Sequence, residues 1–339
     1  MQAEPIRIGN RLVGPDQPVF VIAEAGVAHF GSLDTAFRLV DLAVEARADA
    51  VKFQIYTTDR LISHECPEWQ NRMRSKELSY EAFFKIKSYC DQRGILFLAT
   101  AHEESSADFL ESLDVPAYKI GSGEIDNLPF YSHMAKKGKP LLISTGLHDE
   151  NAIRDIIAAC HKVGNSQIIL LHCNTAYPTP PKDSHLRSIP WMQEKFRIPV
   201  GYSDHTIGIA IPLAAVALGA CLIEKHICLR KDQEESQDCH VACDAEDMRR
   251  LVEGIREIEV ALGTPPKTVP NSCRQSLQWA RKSLTAKHDL KAGSVITEDV
   301  LIAKRPGTGI SPKDLNKVVG KRLKKDVARD CLIRWEDLV

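Results

Sequence analysis

Apolar residues gather in eight short runs along the first 230 positions, and each run ends at a polar side chain able to do chemistry. Glu24 follows VFVIA, Lys52 and Gln54 lie in AVKFQIY, Thr100 closes LFLAT, and Lys119 with Ser122 closes AYKIGS. Ser144 and Thr145 close LLISTG, Asn174 closes IILLHCN, Ser203 and His205 lie in VGYSDHT, and Glu224 with His226 lies in CLIEKHI. Between them, stretches such as TAFRLVDLAVEA and NAIRDIIAACHKV carry apolar residues at helical spacing. The alternation predicts repeated βα units with a parallel sheet, and eight of them predict a closed α/β barrel.

In a (β/α)8 (TIM) barrel, side chains at the C-terminal ends of the strands converge on one mouth, where enzymes of this architecture keep their sites. Here that mouth receives lysines, hydroxyls, carboxylates and two histidines. The helical run LVEGIREIEVALG ends at Gly263, and TPPKTVPNS, with three prolines, reads as a connection. Residues 1–270 are therefore expected to form the catalytic barrel, 271–282 a linker, and 283–339 a small, mostly β domain of its own pattern.

Composition narrows the function only by exclusion. With 44 Lys+Arg against 45 Asp+Glu, no global field attracts nucleic acid or an anionic membrane, so an anion has to be held locally. The opening MQAEPIRIGN has no apolar signal core and no apolar run is long enough to span a bilayer, which predicts a cytoplasmic protein without membrane partners. Several of the ten cysteines lie inside predicted elements (Cys90, Cys160, Cys173, Cys221), and the set does not resemble a disulfide framework. Cys228, Cys239, His240 and Cys243 are of zinc-binding type, but their spacing matches no paired-ligand pattern, and unpaired thiols are the expectation.

Lys52 and Lys119, from the second and fourth runs, with Ser122, Ser144 and Ser203, supply ammonium and hydroxyl donors suited to a phosphate. The plain alternative is lysines at a wet rim or paired with carboxylates. His205 and His226 end adjacent runs, beside Asp204 and Glu224, and two imidazoles sharing one divalent cation leave coordination positions open, as a catalytic metal requires. Imidazole ligands favour a transition ion over magnesium.

The stretches IAEAGVAHFGSL, VKFQ, FLATAHEESSADFLESLDVPAYKIGSGE, ISTG, LHCNTAYPTP, PVGYSDHTIG and IEKH resemble the sialic acid synthases, enzymes that make N-acetylneuraminate, legionaminate and pseudaminate. The tail AKRPGTGISPKDLNKVVGKRLKKDV is similar to that family's antifreeze-like (SAF) domain. The resemblance implies condensation of phosphoenolpyruvate with an open-chain N-acetylated hexosamine and release of phosphate. It assigns Lys52, Thr100, Lys119, Ser122, Ser144 and Ser203 to phosphoenolpyruvate, and His205 and His226 to a divalent metal, Mn2+ first, with Co2+, Fe2+ or Mg2+ as alternatives. Gln54, Glu124, Tyr177, Asp238 and Arg305 fall at sugar-facing positions, and Glu24 is the candidate for orienting water. It also implies a homodimer in which the C-terminal domain caps the partner's barrel.

Three departures stand out: Ala28 where the first motif usually has Asn, Thr175 two residues before Tyr177, and Cys239 after Asp238. They bear on the acceptor sugar more than on the reaction. Two other readings remain open, an inactive sugar-binding or regulatory relative and a phosphoenolpyruvate aldolase with a non-aminated acceptor. The charged segment GKRLKKDVARD does not suit ice binding.

Overall fold

A computed structural model describes residues 3–232 and 237–339. The chain first makes a hairpin, β1 (Ile6–Ile8) and β2 (Arg11–Val13), antiparallel with Ile6 opposite Val13. Its two-residue turn is Gly9-Asn10, with Gly9 at φ 57°. Ile8 and Val13 are fully buried against the inward-facing residues at the N-terminal end of the barrel. The eight-run reading passed over this plug, although Gly-Asn between two short alternating segments is a hairpin signal.

Eight parallel strands follow: β3 (Phe20–Gly26), β4 (Ala50–Ile55), β5 (Leu96–Ala101), β6 (Tyr118–Ile120), β7 (Leu141–Ser144), β8 (Ile168–Cys173), β9 (Val200–Asp204) and β10 (Leu222–His226). Each pairs with the next and β10 returns to β3, placing His226 opposite Glu24, so the barrel is closed as expected. The two helical stretches singled out in the sequence are helices Leu33–Glu45 and Glu150–Lys162. Ser32 Oγ accepts from Thr35 N at the start of the first, and Asp149 from Ala152 N at the start of the second.

Strand side chains alternate between lumen and helix layer. Val21, Val51, Phe53, Phe97, Ala99, Ile143, Leu170 and Ile223 pack outward with the helices. Phe20, Ile22, Ala50, Leu98, Ala117, Leu142, Ile169, Leu171 and Leu222 fill the lower lumen. One step further along each strand on that inner side come Glu24, Lys52, Thr100, Lys119, Ser144, Cys173, Ser203 and Glu224, all buried. The apolar floor thus carries a polar layer, supplied by every strand.

Compact packing divides the chain between Gly263 and Thr264. Residues 264–270, assigned above to the barrel, therefore belong with the second unit, and the expected linker 271–282 contains a helix, Arg274–Ala280. In the second unit β11 (Ser283–Ala286) pairs antiparallel with β12 (Leu301–Lys304). Isolated bridges such as Leu290 to Val327 and Leu323 to Leu338 extend the β character around Leu284, Ile296, Ile310 and Ile333. Among the described residues no helix is long and apolar enough to cross a membrane.

Candidate active site

The polar layer is a linked network. Lys52 Nζ lies 2.7 Å from Glu24 Oε2, 2.9 Å from Thr100 Oγ1 and 3.6 Å from Glu224 Oε2. Lys119 Nζ donates to Ser144 Oγ at 2.7 Å and stands 3.6 Å from Glu224 Oε1. Ser203 Oγ donates to the same Glu224 oxygen at 3.0 Å. Ser122 joins from the turn after β6, its Oγ accepting from Gly146 N at 2.9 Å. A Cβ on Gly146 would lie 2.7 Å from Thr175 Oγ1 and 3.0 Å from Ser122 Oγ, so the ISTG glycine is required by close approach.

These contacts set the charges. Burial opposes the ammonium form of Lys52, but Glu224 and Glu24 outweigh it and raise its pKa. Lys119, with Glu224 at longer range, has its pKa lowered by burial. Burial pushes Glu24 upward, while Glu224, pushed the same way, is held down at about 2 by Lys119 and Lys52. Both lysines are buried and paired rather than set at a wet rim, and they still converge. Glu224 bridges the two lysines at 3.6 Å from each, and Thr100, Ser144 and Ser203 hydrogen-bond into the same layer.

Beside this cradle the ring centroids of His205 and His226 stand 5.3 Å apart. His205 Nδ1 donates to the Asn174 carbonyl at 2.5 Å, leaving the lone pair on Nε2. Burial and the neighbouring His226 hold the His205 pKa at about 3, so the ring is neutral, the form that binds metal. A nitrogen ligating at about 2.1 Å puts its ring centroid about 3.2 Å from the ion, so two rings meeting one ion at roughly 110° stand about 5.2 Å apart. The observed separation of 5.3 Å matches that figure. Asp204 does not join the histidines: on the opposite strand parity, its carboxylate pairs with Lys225 Nζ at 2.6 Å, both fully buried outside the lumen.

Tyr177 lies over His205, with ring centroids 4.0 Å apart, and edge-on to His226 at 5.9 Å. Gln54 Nε2 donates to Glu24 Oε1 at 3.4 Å. Asp238 reaches the same corner, since a Cβ on Gly26 would meet Glu24 Oε1, Gln54 Nε2 and Asp238 Oδ2 at 3.4, 3.5 and 3.7 Å. Glu124 is held by Asn127 at 2.7 Å on the turn after β6, and burial raises its pKa. Arg305 belongs to the second unit, where its Nε donates to the Ala280 carbonyl at 3.1 Å and its guanidinium lies 5.7 Å from the Trp279 ring. Cys228, Cys239 and Cys243 are buried while His240 is exposed. Glu224, which the sequence sets only beside the histidines, contacts both lysines and Ser203. Its position two residues before His226, on the same lumen parity, was the signal for it.

Comparisons with known proteins bear on the family and the fold. The NeuB family model matches residues 39–267 and the SAF domain model residues 281–339. An uncharacterized protein of Methanocaldococcus jannaschii is 40% identical over 99% of each chain. The N,N′-diacetyllegionaminic acid synthase of Legionella pneumophila is 38% identical over 96% of each chain. Among solved structures, the N-acetylneuraminic acid synthetase of Leptospira borgpetersenii matches at a TM-score of 0.76 and 32% identity, over 81% of this chain and 95% of that one. From the barrel and its motifs to the C-terminal β unit, the chain belongs to the NeuB family and carries a SAF domain.

Proposed function

We propose that this NeuB-family protein condenses phosphoenolpyruvate with an open-chain N-acetylated hexosamine, giving an α-keto acid and inorganic phosphate. The observation that carries the reading is the cluster of Lys52, Lys119, Thr100, Ser144 and Ser203 beside two imidazoles whose ring centroids stand 5.3 Å apart. Support comes also from relatives that are nonulosonate synthases.

In this reading the cradle, with Ser122, holds the phosphate and carboxylate of phosphoenolpyruvate. Carbon 3 is then presented to the aldehyde carbon, and fixing two reactants in attack geometry removes much of the barrier. His205 and His226 would hold a divalent ion, Mn2+ first, whose chemistry is Lewis-acid polarisation of the aldehyde oxygen. Formation of the carbon–carbon bond leaves positive charge at carbon 2. One water adds there; one of its protons ends on the oxygen of the former aldehyde, and the other goes to the departing phosphate as the carbon–oxygen bond breaks to give the ketone. In this reading Glu24, whose pKa burial raises, orients that water and accepts its proton. Gln54, Glu124, Tyr177 and Asp238 face the sugar, and Arg305 of a second chain completes the site in a homodimer.

Phosphate release decides the matter. The protein is incubated with phosphoenolpyruvate, Mn2+ and a panel comprising N-acetylmannosamine, its 6-phosphate, a 6-deoxy diacetamido hexose and non-aminated sugars. Release dependent on an N-acetylated hexosamine is expected. Release with the non-aminated sugars alone, or with none, overturns the reading.

A further inference from the structure

We propose that His102 is an additional ligand for the phosphorylated carboxylate substrate, and that it takes up a proton from water when that substrate binds. The proposal rests on the phosphoenolpyruvate reading above. Alternation along β5 puts Leu98 and Thr100 on the lumen side, and His102 is the next residue of that parity. Its backbone N–H donates to the Ile55 carbonyl at 3.3 Å, which ties it to the end of β4. Its Cε1 stands 3.9 Å from where a Cβ on Gly121 would lie, beside the turn that carries Ser122. The Tyr56 ring lies edge-on at 6.3 Å. His102 therefore sits between the ends of the strands bearing Lys52 and Lys119 and is half-buried.

The charged groups that act on it are Lys52 from β4, Lys119 from β6 and Glu103 beside it. Glu103 is engaged at the next helix, accepting from Ser105 N and Ser106 N at 2.8 and 3.1 Å. Burial and the two ammoniums hold the His102 pKa down at about 4, so in the empty site the ring is neutral.

Charge balance gives the neutral imidazole a purpose. Lys52 and Lys119 are already matched by Glu24 and Glu224, so the cradle as built is formally neutral. A substrate carrying a phosphate and a carboxylate brings negative charge that these lysines, already paired, only partly offset. The same substrate reverses the field at His102, because the ammoniums that opposed its protonation now face anionic oxygens. A proton from solvent then forms the second ring N–H bond, and the imidazolium donates to the bound anion. The proton comes from hydronium or the buffer acid, whose own bond to hydrogen breaks, and nothing is oxidised or reduced.

The test is calorimetric titration of phosphoenolpyruvate into the Mn2+-supplied protein near neutral pH, in two buffers of unlike ionisation enthalpy, which yields the protons taken up. Wild-type protein is expected to take up a substantial fraction of a proton. His102→Gln keeps a neutral donor and should abolish the uptake and weaken binding by roughly tenfold, as loss of a charge-assisted hydrogen bond does. His102→Phe should weaken it further. In turnover the loss should fall on KM for phosphoenolpyruvate and spare KM for the sugar, with thermal melts confirming that both variants fold. Unchanged affinity, or uptake that persists in both variants, overturns the assignment while leaving the proposed function standing. If the wild-type protein does not bind phosphoenolpyruvate at all, the functional reading fails and this assignment with it.

Discussion

Lys52 and Lys119 look alike in the sequence and differ in the fold. Lys52 lies against two carboxylates, which keep it charged, whereas Lys119 has one at 3.6 Å and a pKa lowered by burial. An incoming phosphate therefore has most to offer Lys119. Lys119→Met should weaken phosphoenolpyruvate binding by roughly tenfold or more while the protein still folds, because Glu224 keeps Lys52 and Ser203 as partners and is not left unpaired. Titration of the ligand together with a thermal melt checks both halves, and unchanged affinity would put the phosphate elsewhere. His29 makes a different prediction. It is 1% exposed, its Nδ1 accepts from Gly31 N at 3.1 Å, and burial and Lys76 hold its pKa at about 4. In the unfolded chain a histidine takes up a proton near its ordinary 6.5, so the unfolded state binds more protons between those values. The stability due to neutral His29 is then complete above 6.5 and is lost as pH falls toward 4, at about 1.4 kcal/mol per pH unit at most. Urea midpoints across that window should show a shallower acid slope for His29→Gln than for wild type.

At the scale of elements, the strands do two jobs with one alternation. Even a small side chain is excluded where β9 faces the lumen: a Cβ on Gly201 would stand 2.7 Å from the Leu222 carbonyl and 2.8 Å from Leu171 Cδ2. The first contact is backbone of the neighbouring strand and cannot step aside. Gly201→Ala should cost about 2 kcal/mol, read from chemical denaturation. Gly146→Ala meets side chains instead, Thr175 Oγ1 first, so its effect should fall on the position of Ser122 and on KM for phosphoenolpyruvate. The double variant Gly146→Ala/Thr175→Ala, which removes the nearest obstruction, should recover part of that loss. Recovery of nothing would mean that Thr175 is not what displaces the loop.

At the scale of the molecule, the barrel carries a buried polar layer, and Arg305 belongs to the second unit. Within that unit Gly307 packs tightly against the helix Arg274–Ala280, its N–H donating to the Gln278 carbonyl at 2.7 Å, while Trp279 flanks the guanidinium. Arg305 is thus fixed on its own unit, as a residue must be if it is to serve another chain's barrel. If it does so, mixing Arg305→Ala with His205→Ala protein creates mixed dimers with one intact site each. After random exchange about a quarter of the wild-type activity should return. No recovery after verified subunit exchange would assign Arg305 to its own barrel or to no site.

The sequence by itself determined the eight βα units, because period-2 strands and period-3.6 helices leave distinct patterns. It also determined the mouth, because a barrel strand that runs apolar and ends polar has little else to do with Lys52, Lys119, Ser144 or His226. It did not determine direction or partner. Asp204 and Glu224 both sit beside a histidine in the sequence, yet one residue of parity turns Asp204 outward to Lys225 and leaves Glu224 between two lysines. The β1–β2 plug was legible only as a Gly-Asn turn, too short to stand out until its apolar face met the floor of the barrel. Which lysine is held charged, and which histidine stays neutral, was decided by tertiary structure alone, because burial and the charges brought alongside come from strands far apart in the chain.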